Sequence, residues 1–139
     1  MIPYELLEHT ADAKFRAYGE TREEVFTNAV QAMTAIIADP QQIGTQKILH
    51  LAVKATSLEG LLFDVLDQLL FLHDTENFIA AKAQALTIVE REGKFILDAT
   101  LFGDEATAWP GNLKAVTYSD MIVAQQQDGS WMIQVVIDI

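Results

Sequence analysis

The sequence contains no cysteine, which excludes disulfides, thiolate metal sites and cysteine nucleophiles. Basic residues are scarce, nine Lys and Arg against twenty Asp and Glu, for a net charge of -11. Nucleic-acid binding draws most of its affinity from cations that neutralise phosphates. The cations here are scattered, with only Lys14 and Arg16 forming a same-face pair, so direct binding of RNA or DNA is not expected. An acidic surface suits a metal ion or a basic partner better. No apolar run approaches the ~20 residues needed to span a bilayer, and no membrane partner is expected. Met1-Ile-Pro-Tyr-Glu5 lacks the basic stretch and apolar core of a signal peptide, so the expected location is cytoplasmic. Also missing are a GxGxxG turn, a phosphate loop, GxSxG and HExxH. The three histidines, His9, His50 and His73, stand far apart in sequence, none at metal-ligand spacing from another.

What is present suits one domain, residues 1–139, since half of the 139 residues are hydrophobic and domains of this length build a core without staples. Ala13, Phe15 and Ala17 alternate with Lys14, Arg16 and Tyr18, the pattern of a half-buried strand. Thr21-Arg-Glu-Glu24 reads as a capping box, and Val25, Phe26, Ala29, Val30, Met33, Ile36 and Ile37 fall on one helical face that Asp39-Pro40 ends. Residues 47–55 alternate again. A second helix opens from a capping box at Thr56-Ser-Leu-Glu59, and its wide leucine stripe predicts the more buried of the two helices. Strands are expected over 79–90 and 94–102 around a Glu92-Gly93 turn, then over 114–124, with residues 103–113 an irregular loop. Asp128-Gly129 signals a hairpin. The last strand buries Trp131, Ile133, Val135 and Ile137 and turns Ser130, Met132, Gln134, Val136 and Asp138 the other way. These elements predict an α+β, two-layer single domain, two helices packed on one face of a largely antiparallel sheet of about six or seven strands.

Three places could carry chemistry. His9-Thr10-Ala11-Asp12 puts a carboxylate where a strand begins, facing away from Ala13 and Phe15; a solvated turn aspartate has the same pattern. At Val135-Val136-Ile137-Asp138-Ile139, alternation sets Asp138 opposite Ile137, and a terminal carboxylate follows beside it. Two carboxylates held about 4 Å apart repel by roughly 4 kcal/mol at a typical effective dielectric, so a cation, a lysine or a shared proton has to offset them. A frayed acidic tail is the alternative. Lys114 heads Leu113-Lys114-Ala115-Val116-Thr117-Tyr118, where an ammonium can reach across a sheet edge or simply remain in water. Asp64 and Asp67 share one face of the second helix and read as its solvated polar edge.

Together these segments resemble the archease family over nearly the whole chain. His9-Thr10-Ala11-Asp12 resembles the family's opening, and Leu61-Leu62 with Leu69-Leu70 and Phe71-Leu72-His73-Asp74 its central helix. Lys114-Ala115-Val116-Thr117-Tyr118 resembles the late signature, and Val136-Ile137-Asp138-Ile139 the terminus. The resemblance implies a non-enzymatic activator of an RtcB-type RNA ligase in tRNA splicing and RNA repair, one that speeds formation of the ligase–guanylate intermediate. It also implies a divalent cation, calcium before magnesium, held by Asp12, Asp138 and the carboxylate of Ile139, with Lys114 as the functional lysine. The chain departs from the family at Ser119, where a histidine is usual, at Trp109-Pro110-Gly111, and at Val65, Asp67 and Gln68 in the central helix. Two other classes stay open: a small metal-dependent hydrolase with His9 as base, and a chaperone-like interaction module.

Overall fold

A computed structural model describes residues 1–8, 12–106 and 113–139. His9, Thr10, Ala11 and the Trp109-Pro110-Gly111 segment lie outside the described residues. In chain order the elements are β1 (Tyr4–Leu7), β2 (Asp12–Gly19), α1 (Arg22–Ala35), a short 3-10 turn (Pro40–Gln42), β3 (Lys47–Ala55), α2 (Leu58–Glu76), β4 (Phe78–Arg91), β5 (Lys94–Glu105), β6 (Ala115–Val116), β7 (Ile122–Gln125) and β8 (Trp131–Asp138). The α+β class holds. Among the described residues the strands number eight, and they divide between two antiparallel sheets. The first runs β1-β2-β8, with β6 and β7 each pairing a different part of the far side of β8; the second runs β3-β5-β4.

Local chemistry starts and stops these elements where short-range rules say it should. The Thr21 hydroxyl accepts from the Glu24 amide at 3.0 Å, and the Glu24 carboxylate reaches back to the Glu20 amide at 3.0 Å. Gly19 admits the helix start closely, since a Cβ there would lie 2.4 Å from the Val25 nitrogen. α1 ends at Ala35, short of Asp39-Pro40, because Ile36 and Ile37 turn into tighter bonds to Met33 and Thr34 carbonyls. The cap of α2 is Ser57 rather than Thr56: the Ser57 hydroxyl accepts from the Gly60 amide at 3.0 Å. Asn77, left-handed at φ 52, closes that helix and feeds directly into β4. Glu92 and Gly93, at φ 54 and 77, make the mirror-image turn that matches strand twist between β4 and β5.

The main core draws on every layer, with Phe15 and Ala17 of β2, Val25 and Phe26 of α1, Leu61 and Leu62 of α2, Leu97 and Leu101 of β5, and Ile133 and Ile137 of β8. Three expectations are corrected. α1 is the more enclosed helix, with seven buried residues of fourteen against five of nineteen in α2. The last strand is buried on both faces along its middle, since Gln134 and Val136 are buried as well as Ile133 and Val135. Residues 114–124 form two strands, not one, because Asp120 adopts φ 52 and Met121 bonds back to the Tyr118 carbonyl. No described helix is long and apolar enough to cross a membrane.

Phe15→Ala, at a fully enclosed site, should cost about 3–5 kcal/mol through lost burial and a residual cavity. Thr21→Ala and Ser57→Ala should each cost about 1 kcal/mol, since each orphans one helix-end amide. Urea unfolding, with the slope unchanged between variants, measures all three.

Candidate functional site

β2 and β8 run antiparallel through all eight residues of each. Ala13, Phe15 and Ala17 stand opposite Ile137, Val135 and Ile133, and five of these six are fully or almost fully buried. This apolar ladder sets the register, because a slip by one residue would turn each inward side chain to the other face. The same register makes Asp12 and Asp138 direct cross-strand partners. Side chains paired in this way share a face with Cβ atoms about 4.5–5.5 Å apart. Asp12 is half-buried and Asp138 exposed, as is Ile139 one residue on.

The other side of β8 brings in the lysine. Ala115 and Val116 of β6 pair with Asp138 and Ile137, and the Lys114 amide donates to the Asp138 carbonyl at 2.8 Å. Continuing that register by one residue sets Lys114 across from Ile139, with its side chain in water. Asp12, Asp138, Ile139 and Lys114, chosen from distant parts of the sequence, therefore meet at one end of one sheet. Asp64 and Asp67 do not join them; both are exposed on α2, a solvated helix edge.

Two further residues organise this face, neither of them a site candidate from sequence. Gln134 is 4% exposed. Its Oε1 accepts from Arg16 Nε at 2.8 Å, and its Nε2 donates to the Asp120 carbonyl at 2.8 Å. Lys14, two residues from Asp12 on the same face, extends toward Asp120, with Nζ 3.9 Å from Oδ2. Beside them the Thr117 hydroxyl donates to the Val136 carbonyl at 2.9 Å, and the Tyr118 ring stacks on Phe63 of α2 with centroids 4.4 Å apart. The signal for this turn was Ser119-Asp120, a turn-forming pair inside an otherwise strand-like run. At the opposite end of β2, burial, reinforced by the Glu5 carboxylate that accepts its hydroxyl, raises the Tyr18 pKa above the ordinary phenolic value.

The donors at the Asp12–Asp138 end are all oxygen, the set that hard divalent cations take. Among the described residues no three His, Cys, Asp or Glu side chains converge to hold a metal. Two side-chain carboxylates fall well short of the six to eight oxygens of a calcium shell. Any ion held here would keep positions open to water or to a second molecule.

Comparison with known proteins places the chain. The model of the archease protein family (MTH1598/TM1083) matches residues 4–139. The archease of Methanosarcina barkeri is 38% identical over 140 residues, covering 98% of this chain and 95% of the relative. That of Pyrococcus furiosus is 35% identical with both chains covered in full. The solution structure of Methanobacterium thermoautotrophicum protein 1598 superposes with a TM-score of 0.83 at 31% identity, covering 99% of each chain. An archease and possible chaperone from Thermotoga maritima shares the fold at a TM-score of 0.56 and 17% identity, covering 96% of this chain and 94% of its own.

Gln134→Ala should destabilise by about 1–3 kcal/mol, because it leaves the Arg16 guanidinium and the Asp120 carbonyl without their enclosed partner. Urea unfolding reads the loss, and the amide signals of residues 119–121 should shift most in a heteronuclear NMR spectrum.

Proposed function

The chain belongs to the archease family, and on that premise we propose that it is a non-enzymatic accessory protein of an RtcB-type RNA ligase. It promotes formation of the ligase–guanylate intermediate in tRNA splicing and RNA repair, so that the ligase turns over repeatedly. The observation that carries this reading is the cross-strand pairing of Asp12 with Asp138 beside Lys114. The description of the Thermotoga maritima relative as a possible chaperone supports an action exercised on another protein.

In this reading Asp12 and Asp138, with the Ile139 carboxylate, hold a divalent cation, calcium by preference and magnesium as the alternative. The ion supplies a concentrated positive charge with open coordination positions. The protein supplies two carboxylates fixed by main-chain pairing rather than by a loop, so they lose little freedom on binding. Lys114 adds a second positive charge at the same sheet end, one that stays in water until a partner covers it. A phosphate-bearing or acidic group on the partner is the natural complement to both.

Two measurements test this. Wild-type protein added to the ligase of the same organism, with GTP and metal, should convert single-turnover joining into multiple turnover. Asp12→Ala and Asp138→Ala should abolish the effect while circular dichroism stays native, and Lys114→Ala should abolish it with metal binding retained. Absence of any stimulation by the wild type overturns the reading. Calorimetric unfolding gives the second test: at calcium a hundredfold above its dissociation constant, the wild type should gain about 2.7 kcal/mol. Asp138→Asn should gain almost nothing, yet match or exceed the wild type in chelator, where the like-charge repulsion is gone.

A further inference from the structure

The second sheet has two edges of different character. β4 is irregular, with register shifts at Ala80/Lys82 and Gln84/Thr87 and a left-handed Ala85 at φ 52. Such bulges twist an edge away from further pairing. β3 is the reverse. Its nine residues pair with β5 without a break, it holds neither proline nor glycine, and among the described residues no strand pairs with its other side. One face of β3 packs inward through Leu51, while Ile48, His50, Ala52 and Lys54 are exposed on the other.

Charge is collected here as well. Of the nine Lys and Arg in the chain, five (Lys47, Lys54, Lys82, Arg91 and Lys94) lie on these three strands, alongside the carboxylates Glu90, Asp98, Asp104 and Glu105, and three of the five gather at the Arg91–Lys94 end. Arg91 and Lys94 are direct cross-strand partners, and Lys54, opposite Ile96, is the diagonal neighbour of Lys94. Like charges so placed repel one another. None of the three makes an ion pair among the described residues. Of the carboxylates nearby, Glu90 is engaged with Arg22 at 3.2 Å, Asp98 lies 3.3 Å from His50, and Glu92 sits in the turn between Arg91 and Lys94. β3 itself carries no carboxylate, so a second copy of this chain pairing through its own β3 would bring only more cations to the edge.

We propose that the free edge of β3 docks an extended acidic segment of a partner protein as an added antiparallel or parallel strand. Main-chain hydrogen bonds from the free side of β3 give the affinity in such strand addition, and alternate side chains give the specificity. Acidic side chains on the outer face of the added strand would lie beside His50 and Lys54, within the field of Lys94 and Arg91. A single-stranded nucleic acid fits less well, since such ligands need aromatic platforms for stacking. Phe102 on this outer face is already covered by Lys82, whose Nζ lies 5.6 Å from the ring centroid.

The test needs neither ligase nor metal, so it succeeds or fails apart from the reading of the Asp12–Asp138 end. Heteronuclear NMR of the full chain is followed while a capped peptide of alternating glutamate and valine is added, at low and high salt. The expected result is amide shifts confined to residues 47–55 and their β5 partners, with binding weakened by salt. The exposed double variant Lys54→Glu/Lys94→Glu should bind about tenfold more weakly, and Lys54→Gln should fall between it and the wild type. Equal binding of a lysine–valine peptide, preference for an oligouridylate, shifts centred elsewhere, or self-association of the chain through β3 would each overturn the proposal.

Discussion

The pairing of β2 with β8 is the interaction on which the rest of the molecule depends. It joins residues more than a hundred positions apart in sequence, a contact whose chain-entropy cost is large and has to be met by burial. Phe15, Ala17, Ile133 and Val135 meet it, since none of them retains accessible surface. Everything at the carboxylate end inherits its geometry from that apolar ladder. Asp12 and Asp138 take their places opposite each other from the register of the residues behind them. β6 then adds Lys114 through a main-chain bond to Asp138. The chemistry is thus borne on backbone pairing.

This arrangement explains why a cluster of like charge can persist at one end of a stable sheet. A paired surface aspartate costs little when it projects into water, and Asp138 does so. Farther along the same face the logic reverses. Gln134 is enclosed, and there every polar group has a partner: the Arg16 guanidinium, the Asp120 carbonyl, the Lys14 ammonium. A buried polar group without a partner is expensive, whereas a satisfied network fixes the turn that crosses it. The left-handed Asp120 is held in place by that network.

How much of this could be read in the sequence depended on the range of the forces involved. Helix starts at Thr21 and Ser57, the β3 span and the turns at Gly93 and Gly129 are governed by neighbours within a few residues, and they were legible, the α2 cap displaced by one position. The partition into two sheets was not, because strands choose partners across the whole chain and hydrophobic alternation is silent on which. Val136 illustrates the limit: period two marks it as outward, yet in the fold it is buried. The meeting of Asp12 with Asp138 was legible only in part. Each residue could be assigned a face from its own strand; their adjacency required the fold.

The unbroken β2–β8 ladder has one more consequence. Turns and surface loops can lengthen or shorten by a residue with modest effect, because their ends merely close at a slightly different distance. The strands cannot. Inserting or deleting one residue between Trp131 and Asp138 would either force a bulge or rotate the final carboxylate half a turn, burying it against apolar neighbours while an isoleucine faced the water. Drift in this molecule should accordingly proceed by substitution within these two strands and by length change everywhere else, leaving the spacing along each strand as the quantity that descendants must share.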